Sequence, residues 1–402
     1  MSGLNITSYF PFRRVRITDQ RLTADGAVAV IDLMPDRRYG PLCHRCEARG
    51  IWIHSYRSRR VRDLNLADIR VYLNCQVRNV FCADCGRVRV EAQDFVEPYA
   101  RVTKRLARYV YELCKVLTVQ EVARHLALNW KTVKAIDQHF LEEEFGETDY
   151  SGLRILAIDE ISLRKHHNYL TVVMDYETGR VIWLGKDRSE KTLDLFFKGM
   201  SEEKRAKIEA VAIDMWDPYI KAIRHLCPEA RIVFDLFHVV KEFNKAIDHV
   251  RNRECRKATQ EGKAVLKGSK YLLLKNQPNL NSKERPRLRE VLELNRNLAI
   301  MYILKDMLKR IWKYRYRGWA RKRLNEWCEM ARESLIPEAI KFAKRLTRYA
   351  YGILNHCQYH ISTGRLEGTN NKLKVIKRRS YGFRDTRYYI LKAKQAFPGY
   401  TN

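Results

Sequence analysis

Leu153-Arg-Ile-Leu-Ala-Ile-Asp-Glu-Ile161 is a strongly apolar run interrupted by one aspartate, Asp159, near its end. Its aliphatic and β-branched residues predict a strand. Working outward, Asn168-Tyr-Leu-Thr-Val-Val-Met-Asp175 and Gly179-Arg-Val-Ile-Trp-Leu184 predict two more strands. Their short links predict an antiparallel meander. A helical stretch over 190–200 leads to Ile208-Glu-Ala-Val-Ala-Ile-Asp214, again apolar and again ending on an aspartate. A helix over 219–226 then precedes a fifth strand, Ala230-Arg-Ile-Val-Phe-Asp235. Three strands, helix, strand, helix, strand is the element order of an RNase H-like mixed sheet.

Aspartate is depleted in strands and costly to bury unless it is paired or metal-bound. Asp175 begins the turn before Gly179, and a turn or helix cap is also a credible reading of Asp235. Asp159 has no such turn signal beside it. Two carboxylates on adjacent strands, with a third from a helix, can hold two Mg2+ or Mn2+ ions about 4 Å apart. Asp214 and Asp235 compete for the second position. In an RNase H-like order the strand of Asp214 neighbours the first strand, whereas Asp235 belongs to the outer one, so Asp214 is preferred. Trp216 could stack on a displaced base, although a core position is the preferred reading. If 365–379 is helical, Glu367, Asn371, Lys374 and Arg378 share one face at i, i+4, i+7 and i+11. Glu367 could then reach the metals while Lys374 and Arg378 hold a DNA backbone.

Composition narrows the partners. The 402-residue chain carries 77 Lys+Arg against 47 Asp+Glu, a formal charge of +30, spread along its length. Such an excess is tolerable beside a polyanion. No apolar run approaches the ~18 residues that span a bilayer, and no signal peptide is evident. Nucleic acid, in the cytoplasm and away from membranes, is the expectation.

The ten cysteines divide in two, five of them crowding the first hundred residues. Cys43-His-Arg-Cys46 and Cys82-Ala-Asp-Cys85-Gly86 are two knuckles, each offering a thiolate pair to one structural Zn2+. Strand-like sequence between them lets a hairpin bring the pairs together. Cys75 and His44 are substitute ligands by type, with packing the preferred reading of both. Further on, Leu117-Thr-Val-Gln-Glu-Val-Ala-Arg-His-Leu126 opens with a capping box, Thr118 and Glu121. A break at Ala127-Leu-Asn129 and a second helical stretch over 130–140 complete a helix-turn-helix. Trp130, Lys131, Thr132 and Lys134 would face double-stranded DNA.

Between the fifth strand and Glu367 lies a long, basic, helical segment containing Arg310-Ile-Trp-Lys-Tyr-Arg-Tyr-Arg-Gly-Trp319. Its cations and aromatics suit phosphate tracking and base stacking.

Four blocks carry a family resemblance: Ile158-Asp-Glu; Val211-Ala-Ile-Asp-Met-Trp-Asp-Pro-Tyr219; Phe234-Asp-Leu-Phe-His-Val239; and Ser362-Thr-Gly-Arg-Leu-Glu-Gly-Thr-Asn-Asn-Lys-Leu-Lys374, leading to Tyr381-Gly-Phe383. With the cysteine knuckles and helix-turn-helix preceding them, they resemble the ISL3 family of insertion-sequence transposases, from about Cys43 to Arg384. The resemblance implies an Asp159, Asp214, Glu367 catalytic triad and an Asp-x-x-His element at Asp235 and His238, read as support near the site. It also implies an all-α insertion in the catalytic core.

The expected fold is multidomain α+β. Residues 1–98 form a zinc-binding β module and 99–148 a helix-turn-helix domain. Residues 149–242 form the first part of an RNase H-like α/β mixed-sheet core, 243–358 an inserted all-α domain, and 359–402 the final catalytic helix and tail. The expected function is binding of the element's inverted-repeat ends, then metal-dependent cleavage and strand transfer by a homodimer or larger synaptic complex. A DNA-binding regulator or domesticated relative, and an RNase H-like nuclease or resolvase, are the alternatives. A regulator would have no need of all three carboxylates, and a joining assay separates the nuclease.

Overall fold

Alternation of apolar and polar residues builds the first sheet. The computed structural model describes residues 7–48, 52–164, 168–361, 364–380 and 383–399. Ser362, Thr363, Tyr381 and Gly382 of the motifs above lie outside the described residues. The chain forms two compact units, residues 1–143 and 144–402.

In the first unit β1 (Val15–Leu22), β2 (Val28–Pro35), β3 (Trp52–Arg62), β4 (Arg70–Cys82) and β5 (Arg87–Val90) form one sheet. Its order is β1-β2-β4-β3, with β5 also on β4. The β2–β4 pairing is parallel and the others antiparallel. Ile31, Leu33, Val71, Leu73, Cys75 and Val77 fill its core. Arg78 and Glu91 are both buried and paired, Nε to Oε2 at 2.6 Å, fixing β4 to the chain after β5. A charge buried this way depends on its partner.

Three helices follow: α1 (Lys104–Val116), α2 (Val119–Leu126) and α3 (Trp130–Phe145). Both hydrogen bonds of the predicted capping box at Thr118 and Glu121 are made. Ala127 then enters the left-handed region at φ 50°, ending α2 and turning the chain into α3. Val110, Cys114, Val122, Ala123, Leu126 and Val133 form the shared core of the three helices.

The second unit holds β6 (Ile155–Arg164), β7 (Asn168–Asp175), β8 (Val181–Lys186), β9 (Ala210–Ile213) and β10 (Arg231–Phe234). Their order is β10-β9-β6-β7-β8. The meander β6–β7–β8 is antiparallel, whereas β9 runs parallel to β6 and β10 parallel to β9. The strand leading to Asp214 therefore neighbours β6, and the strand leading to Asp235 is outermost.

Side-chain alternation divides the sheet's faces. Leu156, Ile158, Val211, Ile213, Ile232 and Phe234 join the large core. The helices α4 (Glu190–Lys198), α5 (Glu202–Ala206) and α6 (Asp217–Leu226) lie between β8 and β10 in sequence. Phe196 of α4 and Ile223 of α6 pack in that same core.

The core continues through α7 (Leu236–Lys257), α8 (Gln260–Leu266), α9 (Lys270–Leu274), α10 (Glu284–Leu294), α11 (Arg296–Ile311), α12 (Arg317–Glu333), α13 (Pro337–Arg348) and α14 (Ala350–Leu354). The expected boundary between 242 and 243 falls inside α7, which leaves the sheet and enters the helical array without a break. Gly352 makes the return to the sheet possible, since a Cβ there would sit 2.5 Å from the Phe234 ring. On the opposite face lie α15 (Gly364–Arg379) and α16 (Thr386–Ala396). Leu366 packs there on Met174 and on Ala157 and Ala212, and the two alanines let α15 approach the strands closely. Among the described residues no helix is long and apolar enough to cross a membrane.

Candidate active site

Asp159 shares a face with Ala157, and Asp214 shares one with Ala212, so both carboxylates lie on the α15 side. Pairing of β6 with β9 ends at Ala157–Ala212. Continued two residues, that register puts Asp159 level with Asp214, where β9 has stopped and β6 runs on against β7 alone. Asp159 is thus in the middle of a ten-residue strand, not near its end as the sequence suggested.

The outer strand delivers a third group. Asp235 caps α7, accepting from the Phe237 amide at 2.9 Å, and its other oxygen lies 2.9 Å from His238 Nδ1. The same nitrogen is in contact with Asp214 Oδ1. One ligand atom each from Asp159, Asp214 and His238 lie within 4.8 Å of one another. Asp235 is therefore turned to the helix cap and the imidazole, and His238 stands beside both Asp214 and Asp235.

Electrostatics follow from this crowding. Burial, then the neighbouring Asp214, pushes the Asp159 carboxyl up to about 6. Burial works against protonation of His238, but its hydrogen bonds to Asp214 and Asp235 overcome it and hold the imidazole up at about 10. A protonated imidazole here places positive charge between the Asp214 and Asp235 carboxylates. Hard carboxylate oxygens with an imidazole beside them suit Mg2+ or Mn2+, which typically take one or two protein carboxylates with water and phosphate.

The helix α15 contributes a residue that the sequence reading passed over. Asn370 Nδ2 donates to Asp159 Oδ2 at 2.6 Å. Leu366, Thr369, Asn370 and Leu373 form the buried stripe of this helix. Glu367, Asn371, Lys374 and Arg378 are exposed. Glu367 stands one turn before Asn370 and is not part of the tight three-residue cluster. The signal was available: Leu366 and Leu373 mark the apolar stripe, and Asn370 lies between them at i+4 and i−3.

Trp216 is not a core residue; it is 37% exposed, its Nε1 donates to the Arg188 carbonyl at 3.3 Å, and the Arg188 guanidinium lies over its ring. Beyond Asp235, a cleft of about 760 Å³ is lined by Phe237, Lys309, Trp312, Lys313, His356 and other residues.

In the first unit, four cysteines meet. Cys46 Sγ lies 3.4 Å from Cys82 Sγ and 3.6 Å from Cys85 Sγ, and Cys43 Sγ lies 3.9 Å from Cys85 Sγ. A disulfide would require about 2.05 Å, whereas sulfurs ~2.3 Å from a tetrahedral zinc stand about 3.8 Å apart. The thiolate set fits zinc. Gly86 has φ +62°, the left-handed turn the second knuckle requires. His44 Nδ1 instead meets the Val90 carbonyl at 2.8 Å. Cys75 is buried in β4, which pushes its thiol up to about 12. Both are packing residues.

On α3, Trp130 and Lys131 are exposed, and Thr132 and Lys134 are half-buried. Val133 is buried.

Comparison with known proteins is consistent with this geometry. The DDE family model of the ISL3 class, described as a transposase, matches residues 156–393. The model described as the helix-turn-helix domain of transposase family ISL3 matches residues 91–141. The chain is 42% identical over 361 residues to the transposase for insertion sequence element IS1001 of Bordetella parapertussis, covering 89% of each chain. It is 27% identical over 401 residues to the transposase for insertion sequence element IS1557 of Mycobacterium tuberculosis, covering 94% of this chain and 90% of the relative. With helix-turn-helix and DDE regions both matched, the chain belongs to the ISL3 family of transposases.

Proposed function

We propose that the chain binds the inverted-repeat ends of its insertion sequence, then cleaves and joins DNA strands in an RNase H-like core. Asp159, Asp214 and Glu367 are its metal ligands and catalytic carboxylates. The observation that carries this reading is the meeting of Asp159 and Asp214, from adjacent parallel strands, beneath the helix that bears Glu367. Two divalent ions bound there would activate the attacking water or 3′-hydroxyl and stabilise the leaving oxygen.

The chain's own groups do the rest. Asp235 fixes the His238 ring, and His238 holds Asp214 in place. Lys374 and Arg378, exposed further along α15, contact the scissile-strand backbone, joined by Asn371. The cleft with Phe237, Trp312 and its lysines lies beside Asp235 and suits an unstacked strand. Residues 243–358 act as the inserted helical part of the core. Residues 1–98 and 99–148 read the DNA end, with structural zinc in the former. Two ends must be held at once, so a dimer or higher synaptic complex is the working form, in the bacterial cytoplasm.

Incubation of the purified chain with end-bearing DNA and Mg2+ is expected to give a nick at the element end and, from a pre-cleaved end, joining to a target plasmid. Glu367→Gln is expected to lower both by at least about 100-fold, the scale seen when one charge-stabilising group is removed, with end binding retained. Nicking without joining would favour the nuclease alternative, and binding with neither would favour the regulator.

The helix-turn-helix reading predicts a separate phenotype. Lys131→Ala and Lys134→Ala should each weaken end binding and reduce the salt dependence of the affinity by about one unit of slope. An unchanged slope in the double variant would remove α3 from the DNA.

A further inference from the structure

Asn370 is only 5% exposed, and its amide nitrogen is committed to Asp159. A carboxylate can only accept, so the amide must present its nitrogen to Asp159. Its carbonyl oxygen then faces elsewhere, and among the described residues it meets no donor although it is buried. Native structures leave few such acceptors empty, and each one calls for a cation or a donor that completes it.

The contact has a second consequence. Asn370 links α15 directly to β6, and one turn earlier Arg365 donates to the Tyr176 and Glu177 carbonyls; elsewhere the helix rests on apolar residues, Leu366 over Ala157 and Ala212, and Leu373 near Ile161 and Leu170. Apolar contact of this kind tolerates sliding. A directional 2.6 Å hydrogen bond does not. Glu367, one turn before Asn370, is carried by the same helix.

We infer that Asn370 is a positioning residue for the metal site: its amide holds the Asp159 carboxylate in its ligating orientation and helps to register Glu367 against it. The inference rests on the reading of Asp159 as a metal ligand. Groups that orient ligands in this way typically change metal affinity by about 10–100-fold when removed.

The test uses the full-length chain and Mn2+ alone, with free ion measured by electron paramagnetic resonance in the absence of DNA. Asn370→Ala and the near-isosteric Asn370→Leu are compared with Asp159→Asn. Asn370→Leu keeps the volume but removes the donor to Asp159 without adding a charge. Both Asn370 variants are expected to bind Mn2+ about 10-fold or more weakly, with end-DNA binding held near wild type. A space-filling role predicts that Asn370→Leu binds Mn2+ as wild type does, and that result overturns the proposal. If Asn370→Ala melts early, the Asn370→Leu arm decides. Wild-type Mn2+ affinity in Asp159→Asn would instead overturn the reading of the site itself.

Discussion

Asp159→Asn is expected to abolish strand cleavage while leaving the protein at least as stable as wild type in metal-free buffer. The activity loss should exceed about 100-fold, because the substitution removes the charge that β6 places at the centre of the cluster. The stability expectation follows from the carboxyl's environment. Burial and Asp214 raise its folded-state value to about 6, above the ordinary 3.8. For an acid raised in this way, the favourable contribution is complete below the unfolded value and is lost as pH climbs through the folded one. Ionised Asp159 therefore destabilises the metal-free fold at neutral pH, and an uncharged amide relieves it. A divalent ion reverses the balance by binding the folded wild type preferentially. Melting curves with and without Mn2+ give the check. Wild type should gain midpoint on adding the ion, Asp159→Asn should not, and the variant should melt no earlier than wild type without it. Trading stability for function in this manner is common at active sites.

The second large effect concerns the cysteine cluster. Cys82→Ser, or removal of zinc by a strong chelator, is expected to disorganise the first sheet and abolish end binding. Structural zinc contributes on the order of 10 kcal/mol in small metal-dependent folds. The site ties the turn at Cys43 to the end of β4 and to the β4–β5 turn, three segments brought together at the knuckles. Elemental analysis of the full-length chain should find one zinc per chain, and none after Cys82→Ser. Full end binding by a zinc-free protein would contradict the structural role. Cleavage chemistry offers a contrast: Asp159→Asn should retain both zinc and end binding.

Much of this was legible because the relevant signals are local. The capping box at Thr118 and Glu121 sets where α2 starts, and both bonds form as read. Paired CxxC knuckles carry their own spacing, and the four sulfurs meet. The order of apolar runs placed the Asp214 strand beside the Asp159 strand, because a parallel return needs a helical crossover and the meander needs none.

What failed depended on facts that no short window contains. The first strand was ended at Ile161, whereas β6 runs to Arg164 because it continues to pair with β7 beyond the end of β9. Polar residues such as Ser162 disguise this. α7 runs unbroken through 242 to Lys257, on a stripe of Phe243, Ile247 and Val250 that no window ending at the fifth strand contains. On α15 the charged face drew the reading to Asn371, while the neighbouring Asn370 turns inward to Asp159. Trp216 looked like core from its apolar bulk, but as the cap residue of α6 it lies where the chain emerges from the sheet. His238 could be placed beside Asp214 only once β9 and β10 were known to be parallel neighbours.

If Asp159, Asp214 and Glu367 surround bound divalent metal, Fe2+ put in place of Mg2+, with ascorbate and peroxide, generates radicals that cut the polypeptide beside the ion. Fragments ending near 159, 214 and 367 are expected, all suppressed by excess Mg2+ and all absent from Asp159→Asn. Cuts near 159 and 214 with none near 367 would contradict the third ligand, and Mg2+-insensitive cuts elsewhere would contradict the site.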